Sequence, residues 1–445
     1  MVKEQTRCKM KKNIFVSAGL AALGAAALQS AMADDSASPQ YWNVSATLRG
    51  FYDDNYNIAG NGRGSAGIEF SPSVSFHVPL QQTDLGIRYT YGLYYYEDRQ
   101  ELGLNAFDQT HQVDLWADHA FNERWHAKLT DTFAIGQEPE LLNNNPALAN
   151  PVEYRVNGDN LSNHGTLVLD TDWTRLFGTT LAYNNSYYDY DNSGATVVSL
   201  PVSGPTLAGL LNRVEQSASL DLKWHVQPET TLFVGYQFSW VDYTGNEPIA
   251  IVPQTTPTFN GVYHSSDRDS YTHYAYVGLE HQFTANLDGT FKVGGSYIDT
   301  YADPLAPSTS LSPYADLSVE YTYIPGSYVQ FGFTQDLSST VQVAPNASGQ
   351  ITQYSQDSVV YVDINHKFTP KLTGTVIGRV QDAVFQGGAV NNASEVDYSL
   401  GINLNYRINR HFSVDAGYNY DDLVSDVAGD NYSRNRVYLG LMANY

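Results

Sequence analysis

Cysteine is almost absent from this chain. Its 445 residues contain one, Cys8, near the N-terminus. Disulfide frameworks and thiol chemistry are therefore excluded for everything after it. Long apolar runs are absent as well: beyond residue 33 no stretch of eighteen apolar residues occurs, so no membrane-spanning helix is expected. Positive charge is scarce, with 24 Lys and Arg against 47 Asp and Glu. So acidic a chain is a poor match for nucleic acid. Catalytic signatures are missing too: there is no G-x-S-x-G, no H-E-x-x-H and no Walker loop.

What is present begins with a leader. Met10-Lys11-Lys12 precedes an apolar run from Ile14 to Leu28, then Ala31-Met32-Ala33 and Asp34-Asp35. A charged start, a short apolar core and an A-x-A site read as a secretory signal cut after Ala33. The leader holds five basic residues and one acidic residue. Removing 33 of 445 residues thus leaves 412, with 19 basic against 46 acidic, a balance of −27. Residues 34–41 read as a short periplasmic lead-in, and 42–445 as one domain.

That domain repeats one unit of strand, short turn, strand and longer polar loop. The short turns are read at Val78–Thr83, Phe121–Arg124, Thr174–Phe177, Val226–Thr230, Phe283–Leu287, Ile324–Ser327, Phe368–Leu372 and Ile408–His411. Nine segments rich in Asn, Asp, Gly, Ser and Pro lie near 53–64, 99–108, 139–162, 192–212, 244–269, 302–310, 339–355, 386–394 and 424–433. Eight turns and nine loops make eighteen strands, or sixteen if two weak strands merge into loops. The flanking stretches alternate with the period of two that a strand imposes. Leu85, Ile87, Tyr89, Tyr91 and Leu93 oppose Gly86, Arg88, Thr90 and Gly92. At the C-terminus Val437, Leu439, Leu441, Ala443 and Tyr445 oppose Arg436, Tyr438, Gly440, Met442 and Asn444. The chain closes on an aromatic, and pairing this last strand with the first would remove both free edges. The fold expected is all-β: a transmembrane, antiparallel, up-and-down β-barrel of about 18 strands. With an even strand number both ends lie on one side, so the short turns are periplasmic and the long loops extracellular.

Aromatic residues collect at strand ends. Trp42, Trp125, Trp173, Phe177, Trp224, Phe283, Phe368, Phe412 and Tyr445 lie near the short turns. Tyr95, Tyr188, Tyr190, Trp240, Tyr243, Tyr301, Tyr354 and Tyr420 lie near the loops. Two such rings are read as girdles at the two membrane interfaces. Asp131 breaks phase, falling on the apolar face between Leu129 and Phe133, and a bulge is the expected cause.

A barrel this wide leaves an aqueous channel rather than a filled core. The polar face of each strand then supplies the candidate pore lining: Arg49, Glu69, Arg88, Asp114, Asp118, Lys128, Asp170, Asp221, Lys223, Glu280, Lys292, Asp316, Glu320, Asp363, Arg379, Arg407, Asp415 and Arg436. Lys367, Asp172, Asp288 and Asp397 fall on the same face. Acid exceeds base, and rings of carboxylates favour cations, so a weak cation preference is expected. The plainer reading is a solvated wall with screened charges. Loops 192–212 and 244–269 are unusually apolar, with Leu207-Ala208-Gly209-Leu210-Leu211 and Pro248-Ile249-Ala250-Ile251-Val252-Pro253. They are expected to narrow the mouth or to pack on each other as a lid. Asp189-Tyr190-Asp191-Asn192-Ser193-Gly194 opens like a calcium loop, but its twelfth position is Leu200, so no metal site is assigned. No cofactor and no catalytic residue is assigned either, and an enzyme is not expected.

The opening strand Asn43-Val44-Ser45-Ala46-Thr47-Leu48-Arg49-Gly50-Phe51, its continuation Tyr52-Asp53-Asp54-Asn55-Tyr56, and the turn Phe368-Thr369-Pro370-Lys371-Leu372 resemble the β-barrel porins of the Gram-negative outer membrane, a family found beside exopolysaccharide and capsule genes. The resemblance spans most of the chain from Asn43 to Tyr445. It implies an outer-membrane pore for small polar solutes or saccharides, inserted through the barrel-assembly machinery that reads the C-terminal strand at Tyr445. It also implies an alternative, polysaccharide export with a periplasmic export partner, for which lumen-facing Tyr94, Tyr96, Tyr274, Tyr276 and Tyr438 are suited. A plugged structural or adhesive barrel is the third reading.

Overall fold

The computed structural model describes residues 41–136, 159–191, 205–252, 259–305 and 308–445. The leader, the lead-in up to residue 40 and the loop residues 137–158, 192–204, 253–258 and 306–307 lie outside the described residues. Twenty strands occur among the described residues. In chain order they are β1 Trp42–Asp53, β2 Ser65–Pro79, β3 Thr83–Tyr96, β4 Phe107–Ala120, β5 Trp125–Gly136, β6 Asn160–Asp172, β7 Phe177–Tyr190, β8 Arg213–Gln227, β9 Thr230–Tyr243, β10 Pro248–Ile251, β11 Val262–His264, β12 Ser270–Thr284, β13 Leu287–Asp299, β14 Thr309–Ile324, β15 Ser327–Ser338, β16 Thr352–Lys367, β17 Leu372–Gly387, β18 Ser394–Arg407, β19 Phe412–Ser425 and β20 Tyr432–Asn444. Two short helices, α1 Glu97–Glu101 and α2 Leu207–Leu211, and a 3-10 turn at Ser265–Arg268 sit in the loops. No described helix is long and apolar enough to cross a membrane.

Eighteen of the strands form one antiparallel sheet, and β10 and β11 form a separate hairpin within a loop. The sheet closes on itself: β1 pairs with β2 and also with β20, from Ser45 opposite Asn444 to Asp53 opposite Arg436. Tyr445 completes the seam by exchanging backbone hydrogen bonds with Val44 at 2.9 and 3.1 Å, while its ring lies 5.6 Å from that of Trp42. The eight short turns and nine long connections fall where the alternation places them, and closure leaves no free edge in the sheet.

Two faces result. Outward positions carry exposed Leu, Val, Ile, Phe and Tyr, among them Leu48, Ile68, Leu167, Leu222, Val277 and Leu439. Inward positions carry Ser, Thr, Asn and charged groups, many of them buried. Glycine and aromatic residues meet directly across the ladder on the inner face. Tyr361 lies on Gly332 and Tyr438 on Gly417, each its register partner, and a Cβ on either glycine would stand 2.1 or 2.2 Å from the ring. The glycines thereby let the rings lie flat against the wall.

The girdle nearest the short turns is built as expected, with Trp125 and Trp173 packed edge to face at 5.2 Å. It contains a repeated unit that the alternation alone did not expose. His119, His281 and His366 each stand edge-on to the Phe two residues later, at 4.4, 4.6 and 4.5 Å. Each also bonds a hydroxyl on a nearby strand, from Thr83, Thr230 and Tyr323. The upper ring needs correction. Tyr188, Tyr190 and Tyr243 are buried on the inner side rather than facing lipid, because they sit in the opposite phase to Leu181, Tyr183 and Tyr236. The bulge expected at Asp131 is also absent. β4–β5 and β5–β6 pair without a register shift there. Asp131 remains outward, with Asn163 Nδ2 donating to its two carboxylate oxygens at 3.0 and 3.1 Å.

Candidate functional site

The inner wall divides into two stretches of different chemistry. From β19 through β20, β1, β2 and β3 to β4, carboxylates are matched by arginines. The Arg49 guanidinium donates to Asp415 at 2.6 Å and to Glu69 at 3.0 Å. Arg436 reaches the other Glu69 oxygen at 3.5 Å and stacks over Phe51, 4.2 Å from the ring centre. Arg434 grips Asp53 at 2.5 Å with both partners buried, and Arg88 meets Asp114 at 3.2 Å. From the β3–β4 connection Arg99 pairs with Asp108 at 2.5 Å and lies over Tyr96 and Tyr56. Burial and the Asp98 carboxylate that accepts its hydroxyl, 2.8 Å away, raise the Tyr56 phenol above its ordinary range.

From β12 to β16 the balance is reversed. Glu280, Asp288, Asp316, Glu320, Asp336, Asp357 and Asp363 face inward; Lys292, 3.7 Å from Asp316, is set among them, and Lys367 shares their face at the short-turn end of β16. The partners here are mostly neutral. Tyr328 donates to Asp363 at 3.0 Å, Gln381 to Asp357 at 2.9 Å, and Thr322 to Glu320 at 3.3 Å. Phe233, Tyr274 and Tyr276 cluster on this wall with Tyr314. Tyr276 donates to Asp221 at 2.7 Å, and Lys223 binds Asp170 at 3.1 Å.

All eighteen residues expected to line the lumen sit on the inner phase of their strands, though not equally deep. Lys128 stands opposite Asp118 in the ladder, and Asp118 is held by His126 at 2.5 Å. Arg379 is buried and donates to Gln381. Arg407 is exposed at the short-turn end, where it donates to the Pro370 carbonyl at 2.9 Å, so it belongs to the rim. Asp336, Asp357, Asp53 and Arg434 were not among the eighteen. Phase identifies three of them: Asp357 lies six residues before Asp363, Asp53 four after Arg49 and Arg434 two before Arg436, each on the same face.

Above the walls, loops from several hairpins form one apolar cluster. α2, wholly buried, packs with Ile249, Val252 and Tyr263 of the β9–β12 connection, with Val343 and Ile351 of the β15–β16 connection, and with Tyr188 and Tyr190. The two loops singled out by their apolar content thus pack on each other; residues 192–204 of the first, and with them the rest of the calcium-like stretch, lie outside the described residues. Tyr263, fully buried, donates to Asp303 at 3.1 Å, and burial beside that carboxylate pushes its hydroxyl well above the usual phenol range. Arg268 is 1 % exposed; it donates to the carbonyls of Leu210, at 3.2 Å, and Thr340, with its guanidinium 4.4 Å from the Tyr243 ring.

The β15–β16 connection also contacts other parts of the loop end. Ser339 donates to Glu215 on β8 at 3.2 Å, and Gln342 donates to Asp430 of the β19–β20 connection at 2.8 Å. The segment 339–342 thus ties the β15–β16 connection both to β8 and to the β19–β20 connection. Neither Arg268 nor this segment was expected from the sequence. Arg268 looks like an ordinary surface loop residue between Asp267 and Asp269, and only packing shows its carbonyl partners. No group of His, Cys, Asp and Glu suited to a metal occurs among the described residues.

A family model described as Putative beta-barrel porin 2 matches residues 42–445. The chain belongs to that family. No curated protein matches it. Among solved structures the porin-family barrel is similar to the outer membrane protein opdK of Pseudomonas aeruginosa, at 10% identity and TM-score 0.42, covering 91% of this chain and 99% of that one. It is similar to OccAB4 of Acinetobacter baumannii at 11% identity and TM-score 0.41, with the same coverage. It is also similar to the ferric enterobactin receptor PfeA of P. aeruginosa at 9% identity and TM-score 0.43, covering 90% and 81%. At scores of this size the strands of two barrels do not superpose closely, and family membership rests on the sequence match.

Proposed function

We propose that this porin-family barrel is a passive outer-membrane pore for small polar solutes or saccharides, preferring cations and narrowed at its outer mouth by the apolar lid. The observation that carries the reading is the unequal wall: carboxylates from β12 to β16 exceed the cations beside them, while those from β19 to β4 are held by arginines. Fixed carboxylates lower the energy of a cation in a confined channel and raise that of an anion. The expected lining residues, Arg407 at the rim apart, act here as the polar surface of the passage, with no catalytic residue, metal or cofactor. Secretion by the leader cut after Ala33, and recognition of the last strand by the barrel-assembly machinery, belong to the same proposal.

The test is the reversal potential of the refolded protein in a planar bilayer under a salt gradient. A potential on the cation side is expected; a clear anion preference refutes the reading. The saccharide form is favoured by the cluster of Phe233, Tyr274, Tyr276 and Tyr314 beside carboxylates, since aromatic faces and hydrogen-bonding acids suit sugar rings. Soluble oligosaccharides should then block the current in a concentration-dependent way. Polymer export remains the alternative use of the same wall, distinguished by dependence on a periplasmic partner.

A further inference from the structure

On the lipid side one row of the wall is polar. Asp131 on β5 stands opposite Gly165 on β6, Gly165 opposite Asn185 on β7, and Asn185 opposite Gln216 on β8. All four share the outward phase of exposed Leu129, Leu167 and Leu181. Asp131 is the seventh residue of its 12-residue strand, counted from the short-turn end. The other outward carboxylates of the described barrel strands, Asp189, Asp242, Asp299, Asp382 and Asp422, come at the eleventh position or later on that count. They therefore lie toward the loop interface, whereas Asp131 lies deep in the apolar belt. A charge on the lipid face near the midplane destabilises a barrel, a carboxylate less than Arg or Lys. Asn163 supplies one amide nitrogen to Asp131, and a carboxylate has room for about four donors.

We propose that this row is the contact face for a second copy of the same chain. The row is self-complementary about its glycine: an acceptor, Asp131, and an amide donor, Asn185, flank a residue without a side chain, while Gln216, twelfth from the short-turn end of β8, lies nearer the loop interface. A two-fold axis along the membrane normal at Gly165 sets β5 of each copy against β7 of the other. Asp131 of one copy then meets the Asn185 side of the other on both flanks. Gly165 at the centre lets the two walls approach closely, as small residues do where membrane segments pack. An isologous contact of this kind closes at two copies.

The experiment measures the mass of the intact chain, solubilised from membranes in mild detergent, by light scattering and native mass spectrometry. A dimer is expected for the native chain, and a monomer for Asp131→Leu with Asn185→Leu. Both substitutions make the lipid face more apolar, so the barrel should still assemble, which heat-modifiable gel migration checks. A second arm places one cysteine in a Cys8→Ser background. Leu167→Cys, next to the proposed axis, should cross-link in membranes at least ten-fold more than Phe331→Cys on β15. A monomeric native chain, a double variant that stays dimeric, or equal cross-linking at the two positions overturns the proposal. Release of a bound lipid instead of a second copy on Asp131→Leu overturns it too.

Discussion

The two stretches of inner wall use the same residue types to opposite ends. Between β19 and β4 the buried carboxylates Asp53, Glu69, Asp108 and Asp415 each have an arginine within 2.5–3.0 Å. Between β12 and β16 carboxylates are answered mainly by hydroxyls and amides. The first arrangement neutralises charge inside the wall and locks strands together across the seam. The second leaves net negative charge on the inner face of the barrel. The difference teaches that counting inward charges around a barrel says little about selectivity until their partners are known.

The sharpest way to break the comparison is to remove one partner on each side. Arg49→Met leaves Asp415, 2 % exposed, without its cation at the seam. Breaking a buried pair from one side costs about 3–5 kcal/mol. The variant should assemble poorly or melt early, as read by heat-modifiable migration, and Arg49→Met with Asp415→Leu should recover much of the loss. On the acid wall the effect should fall on permeation. Asp316→Asn, Asp336→Asn and Asp363→Asn together should leave the barrel assembled and shift the reversal potential most or all of the way toward zero. An unchanged potential would move selectivity elsewhere, and a collapsed barrel would show that this wall is structural too.

The loops give a third comparison, between an apolar cluster held by packing and an inner wall rich in charge. Arg268→Met keeps the stem against Tyr243 but removes the donors to Leu210 and Thr340. Single-channel conductance should rise about two-fold or more, with no change in reversal potential. A shift in potential with unchanged conductance would mean that the lid contributes charge rather than obstruction.

How far this was legible follows from which interactions are local. Strand period and turn chemistry are properties of neighbouring residues, so the eighteen strands, the eight turns and the phase of Arg49 or Asp363 could be read directly. The pairing of Arg49 with Asp415 across 366 positions could not, because the seam joins the chain ends. Tyr188 misled for a smaller reason: being aromatic at a strand end outweighed its phase, which placed it inward. Asp131 was read correctly as out of phase, but the remedy is a hydrogen bond from Asn163 rather than a bulge. Arg268 was invisible because its partners are backbone carbonyls on two other loops.

The smallest effect expected is a pH dependence of the lid. Asp269 accepts the Tyr243 N–H at 2.8 Å beside Arg268, and burial with Asp242 and Asp267 nearby raises its carboxyl to about 6. Asp267 is raised in the same direction, chiefly by burial. A carboxyl raised in the folded loop favours the closed arrangement while it is protonated. That contribution is complete below the ordinary carboxyl range near 4 and is lost as pH rises through about 6. The closed lid should therefore be most persistent in acid, with mean conductance rising between pH 4 and pH 6.5. Asp269→Asn, neutral throughout and still able to accept the Tyr243 N–H, should flatten most of that rise while leaving the acid-wall reversal potential unchanged. A rise that survives in Asp269→Asn would transfer the titration to the carboxylates of the acid wall, and the contrast between a packed lid and a charged wall would have to be redrawn there.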